Sequence, residues 1–150
     1  MTKTEHKIEK AFKKVVRELR KVPAGKYIGS PTELVATPFI ACKALLLCTQ
    51  VKYNRVYFTR RSLKHLLEKS NDSGTALRDL SAVIERPDTI FKATKDSRFL
   101  ISKDTHEQSQ LRLVVIEVER NMRIIIVTSF TTDKKYLSGF SLLWRTGTSL

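Results

Sequence analysis

The chain has 150 residues, 41% of them hydrophobic, which is enough for one real core and too little for two comfortable domains. With 28 Lys+Arg against 15 Asp+Glu, its net charge of +13 sets up an extended positive potential, so the expected partners are nucleic acid, an anionic membrane surface or an acidic protein. The longest apolar run, Ala41 to Cys48, is interrupted by Lys43 and is far too short to span a bilayer. The basic N-terminus also lacks the apolar stretch of a signal peptide, so a cytoplasmic protein without stable membrane insertion is expected.

Residues 3 to 22 place Ile8, Phe12, Val15, Val16 and Leu19 at helical spacing and fill the remaining positions with Lys7, Lys10, Lys13, Lys14, Arg17 and Arg20. This predicts a basic amphipathic helix. It can pack as an ordinary helix, lie along nucleic-acid phosphates, or rest on a membrane surface. Val22-Pro23-Ala24-Gly25 stops it. Ser30-Pro31-Thr32-Glu33 has the form of a helix start, and predicts a central buried helix to about Gln50 that Pro38 kinks near Thr37. Cys42 and Cys48 would point in different directions on that helix, so reduced thiols are expected and no disulfide.

Residues 51 to 58 predict a short strand, followed by a helix over Arg60 to Lys69 that Asn71-Asp72-Ser73-Gly74 ends. Thr75 to Glu85 predicts another helix, with Leu77, Leu80, Val83 and Ile84 on one side and Arg86-Pro87-Asp88 as its stop. From residue 90 onward the pattern is that of strands: Phe99-Leu100-Ile101, Leu111 to Glu119, Arg123 to Phe130 after a tight Arg120-Asn121 turn, and Tyr136 to Trp144. Helices first and an antiparallel meander second make the fold class α+β. Residues 1–50 are a basic and apolar helical part, residues 51–150 an α+β part, and the two form one compact domain.

Chemistry concentrates in the 60–69 helix. At about 100° per residue, Leu63, Leu66 and Leu67 share a face and His65 falls roughly 150° from its middle, with Arg61 and Glu68 on its own side. An imidazole among cations and one carboxylate suits general acid or base work, although an exposed histidine on a solvated helix has the same pattern. On the paired strands, an Arg120-Asn121 turn sets Glu119 against Met122 and Arg112 against Ser129, an anion site if the guanidinium does not simply reach out from the sheet edge. A register slip would substitute Thr128 or Thr131. Together these groups suggest RNA cleavage by 2′-hydroxyl attack, without a metal or other cofactor. The sequence has no phosphate-binding glycine loop, no CxxC pair and no carboxylate pair near a His or Cys cluster.

Val56-Tyr57-Phe58-Thr59-Arg60-Arg61-Ser62-Leu63-Lys64-His65-Leu66, then Ile84-Glu85-Arg86-Pro87-Asp88-Thr89-Ile90, then Val127-Thr128-Ser129-Phe130, resembles the phage-associated branch of the barnase, EndoU, colicin and RelE-like nuclease superfamily. The resemblance covers about residues 55 to 145. It implies helices packed on a four-stranded antiparallel β-sheet, and a metal-independent endoribonuclease of the toxin or phage-effector type that leaves a cyclic phosphate. It implies an RNA substrate, often tRNA, and an acidic inhibitor or immunity protein as partner. His65 would be the acid/base, with His106 as its substitute. Lys64 and Arg112 would contact phosphate, and Thr128 or Ser129 would be the late-strand hydroxyl. Arg61, Lys103 and Arg123 are the further basic residues expected to bind substrate.

The alternative is a non-catalytic nucleic-acid-binding accessory protein of a phage or mobile element, using the basic N-terminal helix. Aromatic residues are few and are not interleaved with cations on any strand, so a base-stacking platform is not expected.

Overall fold

The computed structural model describes residues 2–26, 29–69, 72–95, 97–105 and 109–147. Helix α1 (Lys3–Lys21) leads into β1 (Leu34–Ile40), a short α2 (Lys43–Thr49), β2 (Arg55–Thr59), α3 (Arg60–Lys69) and α4 (Ser73–Glu85). The strands β3 (Thr89–Lys92), β4 (Arg98–Asp104), β5 (Gln110–Val118) and β6 (Ile124–Asp133) follow, then a 3-10 helix (Lys134–Gly139) and β7 (Ser141–Arg145). All seven strands join one sheet in the order β1-β2-β6-β5-β4-β3-β7.

The class is α+β, but the sheet is seven-stranded and mixed where four antiparallel strands were expected. The sheet is mixed because β2 pairs parallel with β6, and it gains β3, which was not expected as a strand; two further elements depart from expectation. Residues 34–40 form a strand instead of the first half of a buried helix, and they pair antiparallel with β2. Their burial alternates, with Val35, Thr37 and Phe39 inside, which is the period of a strand. Pro38 fits because β1 is an edge strand and its pairing shifts between Ala36 and Ile40. Thr37 holds the irregular stretch: its hydroxyl donates to the Val56 carbonyl at 2.8 Å and accepts from the Phe39 N–H at 3.1 Å. The second element is the chain's end. Residues 134–139 wind into the 3-10 helix, and the shortened β7 crosses to pair with β3 on the far edge instead of continuing a meander.

The apolar stripe of α1 is used within the fold. Phe12, Val16 and Leu19 are buried in one core with Val35, Phe39, Phe58 and Leu63, and the Phe12 ring stacks on Phe58 at 6.3 Å. Burying each such side chain stabilises by about 1.5–3 kcal/mol. Cations occupy the outer surface: Lys3, Lys7, Lys10, Lys13, Lys14, Arg17, Arg20 and Lys21 are all exposed. The first fifty residues therefore supply a helix and an edge strand to the same core as the rest. A smaller cluster lies on the other side of the sheet, where Leu137 of the 3-10 helix packs with Leu100, Leu111, Leu113 and Val115.

Lys64 joins α1 to α3. It is 3% exposed, and its ammonium donates to the carbonyls of Leu19 at 3.0 Å and Val22 at 2.6 Å, so it caps the C-terminus of α1. Glu68 sits 3.4 Å from the same ammonium and accepts the Gly25 N–H at 3.0 Å. That backbone hydrogen bond, and then Lys64, hold the Glu68 carboxyl below its ordinary value. Lys64 was expected at a phosphate; here its charge is enclosed by the protein's own carbonyls. Replacing it by methionine keeps the length of the stem and strands two carbonyls, so Lys64→Met should cost about 1–3 kcal/mol. Urea unfolding checks this, and an unchanged midpoint would contradict the capping role.

Candidate functional site

Thr59 ends β2 and caps α3 with no residue between them. Its Oγ1 accepts the Ser62 N–H at 3.1 Å while the Ser62 hydroxyl accepts the Thr59 N–H at 3.1 Å, a reciprocal capping box in which serine takes the usual place of glutamate. Phe58 before the cap and Leu63 inside the helix are both buried in the main core, so the direction of α3 is fixed at its root.

β2 runs parallel to β6, with Val56 against Ile124 and Phe58 against Ile126. Since β2 stops at Thr59 and β6 continues to Asp133, α3 occupies the side of β6 that β2 has vacated. His65 is exposed, as the helical wheel requires, yet the flank it shares with Leu66 and Lys69 meets the sheet edge. There it lines a narrow crevice with Leu80, Thr128 and Ser129. Histidine and late-strand hydroxyls are thus brought together.

The β5–β6 register decides between those hydroxyls. The turn is one residue longer than expected: the Glu119 N–H donates to the Arg123 carbonyl at 3.0 Å, and Met122 takes a left-handed φ of 62°. A bulge at Val127 then adds a further residue, because Ile116 faces Ile126 whereas Val115 faces Thr128. These two additions move the expected Ser129 away from Arg112. Ser129 lies opposite Val114 on the helix-covered face, Thr128 opposite Val115 on the other, and Arg112 opposite Thr131. Ser129 is therefore the hydroxyl directed to the side of α3.

His65 also lines a cleft of about 590 Å³ with Thr59, Ser62, Arg61, Arg98 and Glu117. Arg98 and Glu117 are directly opposed on β4 and β5. Three contacts converge on Glu117 Oε1: the Ser97 hydroxyl at 3.1 Å, the Lys95 ammonium at 3.3 Å and Arg98 Nε at 3.6 Å. Burial pulls this carboxyl up, but the Ser97 hydrogen bond and the Lys95 and Arg98 charges outweigh it and hold it below the ordinary glutamate value. Arg98 Nε is itself buried and makes no hydrogen bond. The sequence reading passed over both residues. The available signal was a lone carboxylate at position 117 in the run Leu111 to Val118, whose other residues apart from Arg112 are apolar.

The remaining candidates lie elsewhere. Lys103 and Arg112 sit with Thr131 in a separate cavity under α4, and Arg112 Nη2 is 3.4 Å from Asp79 Oδ2. Arg123, at the hairpin end of β6, holds Glu119 at 2.8 Å and lies over the Tyr57 ring at 5.7 Å. Its hydrogen bond to Glu119 raises its own affinity for the proton and lowers the Glu119 carboxyl. His106 falls outside the described residues. Among the described residues no group of three or more His, Cys, Asp or Glu is arranged to hold a metal ion. Cys42 and Cys48 are free thiols, and no described helix is long and apolar enough to cross a membrane.

Comparison with protein-family models, curated proteins and solved structures gives no match for this chain. The geometry of the cleft is therefore what bears on its chemistry.

A glutamate whose folded value is lowered contributes stability that is present above its unfolded value and is lost as pH falls through the folded one. Glu117→Gln should thus lower the thermal midpoint at pH 7, and the gap to the parent should close as pH drops below the ordinary glutamate value of 4.5. A gap that stays constant into acid would show that the Glu117 charge is not what the three contacts stabilise.

Proposed function

We propose that the protein is an endoribonuclease that cleaves RNA by attack of the 2′-hydroxyl on the adjacent phosphate, at the cleft beside α3. The supporting observation is that this cleft gathers an imidazole, two guanidinium groups and a carboxylate kept ionised: His65, Arg61, Arg98 and Glu117. In this reaction the nucleophile belongs to the substrate, so no bound ion is needed to generate it. The 2′-oxygen forms a bond to phosphorus and the P–O5′ bond breaks, leaving a 2′,3′-cyclic phosphate and a 5′-hydroxyl. Glu117 takes the 2′-hydroxyl proton through Oε2, since its three contacts engage Oε1. His65 gives a proton to the departing 5′-oxygen. Arg61 and Arg98 meet the charge that builds on the non-bridging oxygens, where fixed cations are worth most. Ser129, across the crevice from His65, orients the imidazole.

The resemblance to barnase-type nucleases supports the same chemistry, and the net charge of +13 suits a polyanionic substrate. His65→Ala should reduce cleavage of total RNA in EDTA by at least about 100-fold with an unchanged circular-dichroism spectrum. Product ends should carry cyclic phosphate. Undiminished activity in that variant removes His65 from the mechanism, and activity that requires Mg²⁺ overturns the mechanism as a whole.

One observation favours a second reading. The exposed cations of α1 form a continuous basic surface whose apolar side is already packed in the core, which suits electrostatic binding of a nucleic acid without catalysis. Salt-sensitive RNA binding with no turnover in any buffer would select this reading over the first.

A further inference from the structure

The cavity under α4 has a construction that the cleavage chemistry leaves unexplained. Lys103 on β4 is directly opposite Arg112 on β5, and Arg112 is directly opposite Thr131 on β6, so three adjacent strands present these side chains in one row. Two like charges opposed across an antiparallel pair are destabilising unless something separates or neutralises them. Lys103 is drawn aside, its ammonium donating to the Arg86 carbonyl at 2.7 Å. Arg112 is held by Asp79 through a single nitrogen at 3.4 Å, in a pair whose side chains are 30% and 43% exposed. The space above this row is a cavity of about 510 Å³, walled by Asp79, Ala82 and Val83 of α4.

We infer that this cavity takes one nucleobase of the bound RNA. The Arg112–Asp79 pair sets a strong donor beside a strong acceptor, the arrangement that matches a base edge, where a donor and an acceptor are neighbours. Ala82 offers an apolar contact for the ring face, and Thr131 adds a group that both donates and accepts. The position fits as well. Thr131 is two residues beyond Ser129 on the same face of β6, about 7 Å away, which is within the span of one nucleotide. His65 lines both the cleft of Arg98 and Glu117, which lie on the other face of the sheet, and the crevice of Ser129 on the helix-covered face, so an RNA strand passing this edge of β6 would bring a neighbouring base to this cavity. Arg112, expected from the sequence to meet phosphate, becomes a residue that selects the base.

The inference rests on the nuclease reading for its substrate, and the test separates the two. The full chain is titrated with each of the four ribonucleoside 3′-monophosphates while backbone amide signals are followed by NMR. Shifts are expected at Ala82, Arg112 and Thr131, with one nucleotide bound about fivefold or more tightly than the weakest. Arg112→Gln and Asp79→Asn should each erase that preference while shifts near His65 persist. Equal affinities for all four, with shifts confined to His65, Arg61 and Arg98, would overturn the base pocket. RNA cleavage by the parent together with that result would spare the nuclease reading; base selection at Arg112 without any cleavage would do the reverse.

Discussion

The parallel pairing of β2 with β6 is the constraint on which the site depends. It places Phe58 beside Ile126, and because α3 begins at the residue after Thr59, the helix has no loop in which to wander. The Thr59–Ser62 capping box and the buried Phe58 and Leu63 then set its direction. His65 comes to line one crevice with Ser129 as a result of these three features, none of which is itself chemical. A parallel neighbour also requires β2 to be far from β6 in sequence, and the intervening chain supplies α3, α4 and the strands that carry Arg98 and Glu117.

Charge is divided between structure and surface. Lys64 is enclosed by the end of α1 and by Glu68, and Arg123 is tied to Glu119 at the hairpin. The α1 cations remain in solvent, where they contribute a long-range positive potential. In the reading proposed above, a bound polyanion is fixed by the groups of the cleft and of the cavity under α4. Partial enclosure makes their interactions stronger per contact than those of the α1 lysines, which salt screens readily.

Much of this was legible in the sequence, and the failures have physical causes. The 3.6-residue periods of α1, α3 and α4 and the apolar runs of β5 and β6 were strong signals and located those elements to within a few residues. β1 was misread because Ser30-Pro31-Thr32-Glu33 imitates a capping box and the apolar residues after it flow without a polar break into α2; the alternation of Val35, Thr37 and Phe39 carried the contrary signal. β3 was missed because four residues are too short to show a period, whereas the last strand was expected but begins at Ser141, after the 3-10 helix takes residues 134–139. The partner of Arg112 was expected to be Ser129 and is Thr131, named only as a register-slip alternative, since one left-handed residue at Met122 and one bulge at Val127 each shift the register. Glu117 and Arg98 become neighbours only through that strand pairing.

A crystal structure with an oligoribonucleotide made unreactive by a 2′-deoxyribose at the scissile position tests the central claim most directly. The phosphate following that sugar should lie within hydrogen-bonding distance of His65 and of Arg61 or Arg98, with the 2′-carbon turned toward Glu117. An oligonucleotide bound along α1, with the cleft empty, would contradict the account.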